Sequence, residues 1–497
     1  MHSLVRLRPT AVLLALALGA AGACTPLRDA STPDVATAAA APLDQIVRID
    51  TGLVAGTLIG SPERPVRVFR GIPYAAAPLG ELRWKPPQPV APWSGIREAT
   101  RFGPWATQRY PTAPVFEVAG ESEMGEDTLH LNVLTPVRGT AARLPVLVWF
   151  HGGGLDTLSG NMRRYNTADL PASGAVVVTV SHRLGVLGYL AHPWLSAESA
   201  DGASGNYGQM DLIAALEWVQ RNIAAFGGDP QRVAIFGQSG GGRKVNFLMV
   251  SPIVPDGLFH RAVSLSGSIG SVPKADAEKS GVALTDALGV KNLAELRATP
   301  WQKLVQTAAQ IRYSGQFVEN GTSLLEPITK SFATGKQKDV PFMIGMVGTE
   351  DAGHFGMPVQ LVPTIQRRTA PVYAYVFRAV PAGWRGAGVT GWHAIDLGYL
   401  FASLDESFGN VKPEYFRAYP ERQGATSADP GIGAADRELA ERMKKMWVQF
   451  AATGNPSLPG IVDWQPYDAE RESYLDLDLP LTVKPGFSKL RQDARAE

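Results

Sequence analysis

Ser239 stands in a setting that could make it a nucleophile. It is the centre of Gly237-Gln238-Ser239-Gly240-Gly241, a complete G-x-S-x-G. Small residues two before and two after a serine let a strained turn pack without clashes, so the hydroxyl stands clear of a sheet. The surrounding stretch RVAIFGQSGGGRKVNF (232–247) also has Gly237 and Gly242 at phosphate-loop spacing. Arg243 then holds the Lys position and Lys244 the Ser/Thr position, so the hydroxyl that would hold magnesium is missing. An ordinary glycine-rich strand–helix turn fits the same five residues, and the rest of the chain must decide.

A serine hydroxyl needs a base to take its proton, an acid to orient that base, and backbone N–H donors where the oxyanion forms. On a nucleophile elbow the chain order is Ser, then Asp/Glu, then His. The chain has 8 histidines. His2, His130, His151, His182 and His192 precede Ser239, and His260 follows it too closely. His393, in GVTGWHAIDLGYLF, lies in a Gly-rich loop after an apolar run at 372–377. One earlier run, 341–344, leads into GMVGTEDAGHF, so Glu350 or Asp351 falls at a strand's carboxyl end, where open α/β sheets place their ligands. His354 is too near Glu350 for separate loops to converge, and reads as a surface or supporting residue. Paired His ligands and spare Cys are lacking, which disfavours a metal site. The run at 145–150 ends in His151-Gly152-Gly153-Gly154, an HGGG-type oxyanion loop.

The elements that must position these residues are readable as well. Apolar runs at 145–150, 175–180, 233–236, 262–265, 341–344 and 372–377 are continuous rather than alternating, as in a parallel sheet covered on both faces. Leu212, Leu216, Val219, Ile223 and Phe226 form one helical stripe ended by Gly227-Gly228. Leu439, Met443, Met446 and Phe450 form another, stopped by Gly454. Alternating strands and helices imply an α/β doubly wound sheet, and the proline-rich early segment around 67–70 reads as an antiparallel edge.

Lys+Arg total 47 and Asp+Glu 46 in 497 residues, a balance that gives no electrostatic case for nucleic acid. Residues 1–23 read as an export signal: Arg6 and Arg8, an apolar run at 11–21 too short to span a bilayer, then Ala21-Gly22-Ala23. Cys24, the only cysteine, stands where a lipid-attachment cysteine of bacterial lipoproteins would stand, although Ala21 replaces the usual Leu. An incidental cysteine after a plain signal is the other reading. Residues 24–42 read as a disordered tether and 43–497 as a single domain. The expected location is the periplasm or cell envelope as a lipoprotein, alternatively secreted.

With these blocks in order, the chain resembles the type-B carboxylesterases, the family of cholinesterases and bacterial para-nitrobenzyl esterases. The resemblance runs from Leu43 to nearly the end. It rests on FRGIPYAAAPLGELRWKPPQPVAPWSG (69–95), EDTLHLNV (126–133), HGGG, SHRLGVLGYL (181–190), GNYGQMD (205–211), FGGDPQRVAIFGQSGGG (226–242), LSGS (265–268) and MWVQFAATGNP (446–456). It implies an α/β-hydrolase fold, with a mostly parallel central sheet, helices on both faces and an N-terminal antiparallel extension. It implies ester hydrolysis without a cofactor, on a small or bulky ester. By position it assigns Ser239 as nucleophile, Glu350 as acid, His393 as base, and Gly153, Gly154 and Gly240 as oxyanion donors. It also places buried ion pairs at Arg83 with Glu126 and Arg183 with Asp211. Four departures stand out: Gly240 for the usual Ala, Gln238 for the common Glu, Thr128 for the Cys of an early disulfide whose partner region also lacks Cys, and only 43 residues from Glu350 to His393. An amide or carbamate hydrolase on the same triad, or a binding protein on the same scaffold, are the alternatives.

Overall fold

The central parallel strands are apolar on both sides because both faces of the sheet are covered. The computed structural model describes residues 45–109, 123–137, 142–348, 361–365, 369–386, 389, 391–401, 404–409 and 429–490, within the unit Ala41–Glu497. Among them an eleven-stranded sheet forms the centre. In chain order its strands are β1 (Thr57–Ile59), β2 (Val66–Pro73), β3 (His130–Pro136), β4 (Leu144–Phe150), β5 (Val176–Val180), β6 (Gly228–Gln238), β7 (Arg261–Leu265), β8 (Phe342–Val347), β9 (Val372–Phe377), β10 (Tyr474–Leu477) and β11 (Thr482–Lys484). Their spatial order is β11-β10-β9-β8-β7-β6-β4-β5-β3-β2-β1. The run from β5 through β4, β6, β7, β8 and β9 to β10 is parallel; β1, β2, β3 and β11 are antiparallel.

All six apolar runs of the sequence are strands here. The early segment is antiparallel as expected, but β2 is not the edge, since β1 pairs outside it. The C-terminal strands β10 and β11 are short and carry Asp476 and Lys484, so they lack the apolar signature of the central strands.

Side chains alternate across each strand. Val146, Val148 and Ile235 face a layer containing α1 (Tyr207–Asn222) and α2 (Gly240–Val250), through Leu212, Leu216, Val245 and Leu248. Leu147, Trp149, Ala234 and Phe236 face α3 (Asp396–Leu400) and α4 (Ala434–Thr453), through Tyr399, Leu439, Met443 and Phe450. Gly454, at φ 80°, closes α4 in the left-handed conformation.

Candidate active site

Ser239 follows β6 directly and caps α2 with φ 57° and ψ −119°, a backbone that a serine adopts only under constraint. Its N–H donates to the carbonyl of Leu265, 2.8 Å away at the end of β7. Its carbonyl accepts from Arg243 N–H inside the helix, at 2.9 Å. The turn is this tight because its glycines touch neighbouring backbone. A Cβ on Gly241 would lie 1.9 Å from the Phe150 carbonyl oxygen, and one on Gly240 2.0 Å from that of Gly154.

The second of those contacts brings the HGGG loop to the elbow. Leaving β4, Gly153 and Gly154 take φ 81° and 62°. A Cβ on Gly152 would stand 3.6 Å from that of Ser239. The first three carbonyls of this loop are engaged: His151 O accepts from Lys244 Nζ (2.9 Å), Gly152 O lies 2.9 Å from His151 Nδ1, and Gly153 O accepts from Thr157 N–H (3.0 Å). Among the described residues no acceptor takes the N–H of Gly153 or Gly154. Gly240, as the first residue of α2, has no intrahelical acceptor either. Such N–H groups are the donors an oxyanion needs.

His393 reaches the same place from the loop between β9 and α3. Its neighbour Trp392 is buried against Trp384 and Phe408, ring centroids 5.2 and 6.1 Å away. The imidazole is half-buried, and Gln238 Nε2 lies 3.2 Å from its Nε2. His393 thus meets Gln238, the residue before Ser239, while Gly240, the residue after it, packs against Gly154. Glu350, with Asp351 and His354, lies outside the described residues, as does Cys24.

Behind the loop the interior is polar. His151 and His182 are buried with ring centroids 4.8 Å apart, and burial pushes both imidazoles well below the ordinary histidine range. Asp156 accepts from Ser314 Oγ (2.6 Å) and Gly315 N–H (2.8 Å), yet burial raises its carboxyl above the usual value. Burial lowers the Lys244 amine to about 7. Sequence reasoning had met Lys244 only as the wrong residue for a phosphate loop; no local pattern reveals that its side chain turns inward beneath His151.

The ion pairs implied by the resemblance are present. Arg83 Nε donates to Glu126 at 2.6 Å, and Arg183 Nη2 donates to Asp211 at 2.6 Å. Where the family's disulfide is missing, Gln108 ties the early segment to the loop beyond the glycines, donating to Leu158 O (2.9 Å) and accepting from Leu158 N–H (2.7 Å). A cavity of about 400 Å³ opens beside that loop, lined by Thr107, Gln108, Asp156, Thr157, Tyr313 and Ser314 among others. A larger one, about 720 Å³, reaches Arg261 and Pro341 at the amino ends of β7 and β8, away from Ser239.

The sequence profile of the Carboxylesterase family matches residues 43–362 and 352–494. The chain belongs to the carboxylesterase family. It is 30% identical over 472 residues to the fumonisin B1 esterase of Sphingopyxis macrogoltabida, covering 82% of this chain and 83% of that one. It is 29% identical over 504 residues to the para-nitrobenzyl esterase of Bacillus subtilis (strain 168), covering 88% and 96%. A thermophilic PNB esterase of known structure superposes with a TM-score of 0.76 at 27% identity, over 91% of this chain and all of that one. The fold is thus the α/β-hydrolase fold, and this member of the family is a carboxylic ester hydrolase.

Proposed function

We propose that the chain cleaves carboxylic esters by acyl transfer through Ser239, with His393 as base and Glu350 orienting it. Ser239 Oγ attacks the ester carbonyl carbon as His393 takes its proton. The carbonyl oxygen becomes an oxyanion held by the N–H groups of Gly153, Gly154 and Gly240. The tetrahedral intermediate collapses, the alkoxide leaves with the proton from His393, and an acyl-serine remains. Water, deprotonated by His393, then releases the acid. The observation that supports this reading is the backbone of Ser239 at positive φ, with the next residue, Gly240, packed on the Gly154 peptide and His393 meeting the preceding residue, Gln238.

A fluorophosphonate probe tests it. The purified protein should be labelled on Ser239 and lose esterase activity in proportion. Labelling of a different serine, or full activity after complete labelling, overturns the assignment.

The export reading stands as a proposal beside it: Cys24 carries lipid and anchors the domain through residues 25–42. A single acyl chain anchors weakly, so a multiply acylated cysteine is required. Mass spectrometry of the mature N-terminus decides it, and an unmodified Cys24 on a soluble protein rules it out.

A further inference from the structure

We propose that Lys244 is a positioning residue for this hydrolysis, holding the oxyanion loop from beneath through the carbonyl of His151. The inference rests on the reading of Ser239 and the triple glycine given above.

Lys244 lies on α2, five residues past Ser239, and its side chain is fully buried. Its amine makes one hydrogen bond, to His151 O at 2.9 Å, and among the described residues no ion pair. Burying an amine that can carry charge is costly unless it is paired. Packing alone does not call for it, because Val245, Leu248 and Met249 on the same helix fill the core with apolar side chains. The unusual group is found where the loop that supplies the oxyanion donors turns off its strand.

The three consecutive carbonyls explain what it does there. His151 O is held by Lys244, Gly152 O by the His151 ring and Gly153 O by Thr157. With those oxygens drawn to one side, the N–H groups of Gly153 and Gly154 remain for a ligand. Without Lys244 the His151 carbonyl would be an unsatisfied acceptor in the core, and a flip of its peptide would re-aim the donors that follow.

The amine also carries titratable charge. The groups facing it are Asp156 from the oxyanion loop, Arg243 from its own helix, and the imidazoles of His151 and His182. Burial weakens its hold on a proton most, Arg243 adds to that, and Asp156 opposes it, leaving it near 7. Both imidazoles stay neutral far below that, so the amine takes the proton of this cluster. When charged it is the stronger donor and adds a positive field behind the oxyanion.

The test compares wild type with Lys244→Met and Lys244→Gln on para-nitrophenyl acetate from pH 6 to 9, with active sites counted by fluorophosphonate labelling. Lys244→Met should lower kcat by about 10- to 100-fold with KM changed less than about threefold, less than the loss of a direct oxyanion donor. Lys244→Gln keeps an N–H donor, one atom shorter and without charge, and should run at least about threefold faster than Met at pH 8–9. The ratio of wild-type to Gln kcat should fall about threefold or more as pH rises through about 7, a change that a packing role would not produce. Wild-type kcat in Lys244→Met, or Gln no faster than Met, overturns the proposal. If Lys244→Met does not fold, the Gln ratio decides, and a flat ratio overturns it. A wild-type protein that takes no probe on Ser239 overturns the reading of the site itself; one that does, beside a fully active Lys244→Met, overturns only the role of Lys244.

Discussion

The side-chain amide of Gln238 lies 3.2 Å from His393 Nε2 and 3.5 Å from Nδ1, while Ser239 Oγ makes no hydrogen bond among the described residues. The shorter contact is the better hydrogen bond; because the amide N–H can only donate, Nε2 accepts there through its lone pair, which corresponds to the tautomer a general base needs. Attack on a substrate requires His393 to exchange this partner for Ser239, and such bonds tighten in the substrate complex.

Replacing this amide with a carboxylate should be visible in the pH profile. In Gln238→Glu the new charge favours the imidazolium, so more alkaline solution is needed to free the base. The acidic limb of kcat/KM should move to higher pH. An unmoved limb would mean that residue 238 does not touch the base in solution.

Ser239→Ala should lower ester hydrolysis by on the order of 10⁴ or more while leaving the thermal midpoint nearly unchanged. For the acid, Glu350→Gln should reduce kcat far more than Asp351→Asn. Greater damage in Asp351→Asn would show that the acid is Asp351 and not Glu350.

Gly240→Ala restores the residue most common in the family at that position, yet here it should harm. Its Cβ would meet the Gly154 carbonyl oxygen at 2.0 Å and the Gly154 nitrogen at 2.6 Å. The loop must retreat, and its donors with it, so kcat should drop by about 10- to 100-fold. Unchanged kcat would show that the loop has room to move without cost.

Acid should destabilise the protein through its buried imidazoles. Among the described residues no side chain or backbone group pairs with either ring nitrogen of His182, and burial, the Lys244 amine and His151 together hold it well below the unfolded value of 6.5. The unfolded chain therefore takes up a proton that the folded state refuses. Stability from this group is complete above 6.5 and falls by about 1.4 kcal/mol per pH unit below it. The melting temperature of His182→Phe should drop less between pH 8 and pH 5 than that of wild type. Parallel drops would place the acid sensitivity elsewhere.

The interval from Glu350 to His393, 43 residues, leaves little chain for covering helices once β9 is subtracted. We therefore expect bulky aromatic esters to be accepted, with kcat/KM at least comparable to that for a short acetyl ester. Exclusion of the bulky ester, with the acetyl ester preferred, would show a closed gorge.

The sequence was most legible where burial is two-sided. β4 and β6 are continuous apolar runs because both faces are covered, and the stripe Leu439, Met443, Met446, Phe450 was legible because α4 packs on one side only. The elbow and the glycine loop were readable because few residues tolerate such backbone. β11 was missed because a short edge strand needs little apolar surface, and β10 because four residues interrupted by Asp476 make too short an apolar run. The Gln238–His393 contact and the buried Lys244 were missed for another reason. Residues 155 positions apart meet only through the order of the strands, and a lysine in sequence looks the same whether it points to water or to a core.

The covering of the sheet by α4 has a consequence for how the chain is made. Leu147, Trp149 and Phe236 are buried against residues 439–450, translated hundreds of positions later. Until then only nearby residues such as Leu158, Met162 and Tyr165 cover part of that face, and the rest of the half-built sheet is apolar surface without its helix. Contacts this distant in sequence make assembly slow, and collapsed intermediates with such faces exposed aggregate at ordinary concentrations. The yield of soluble enzyme should thus depend on temperature and chaperone supply during synthesis, even though the finished domain buries this face completely.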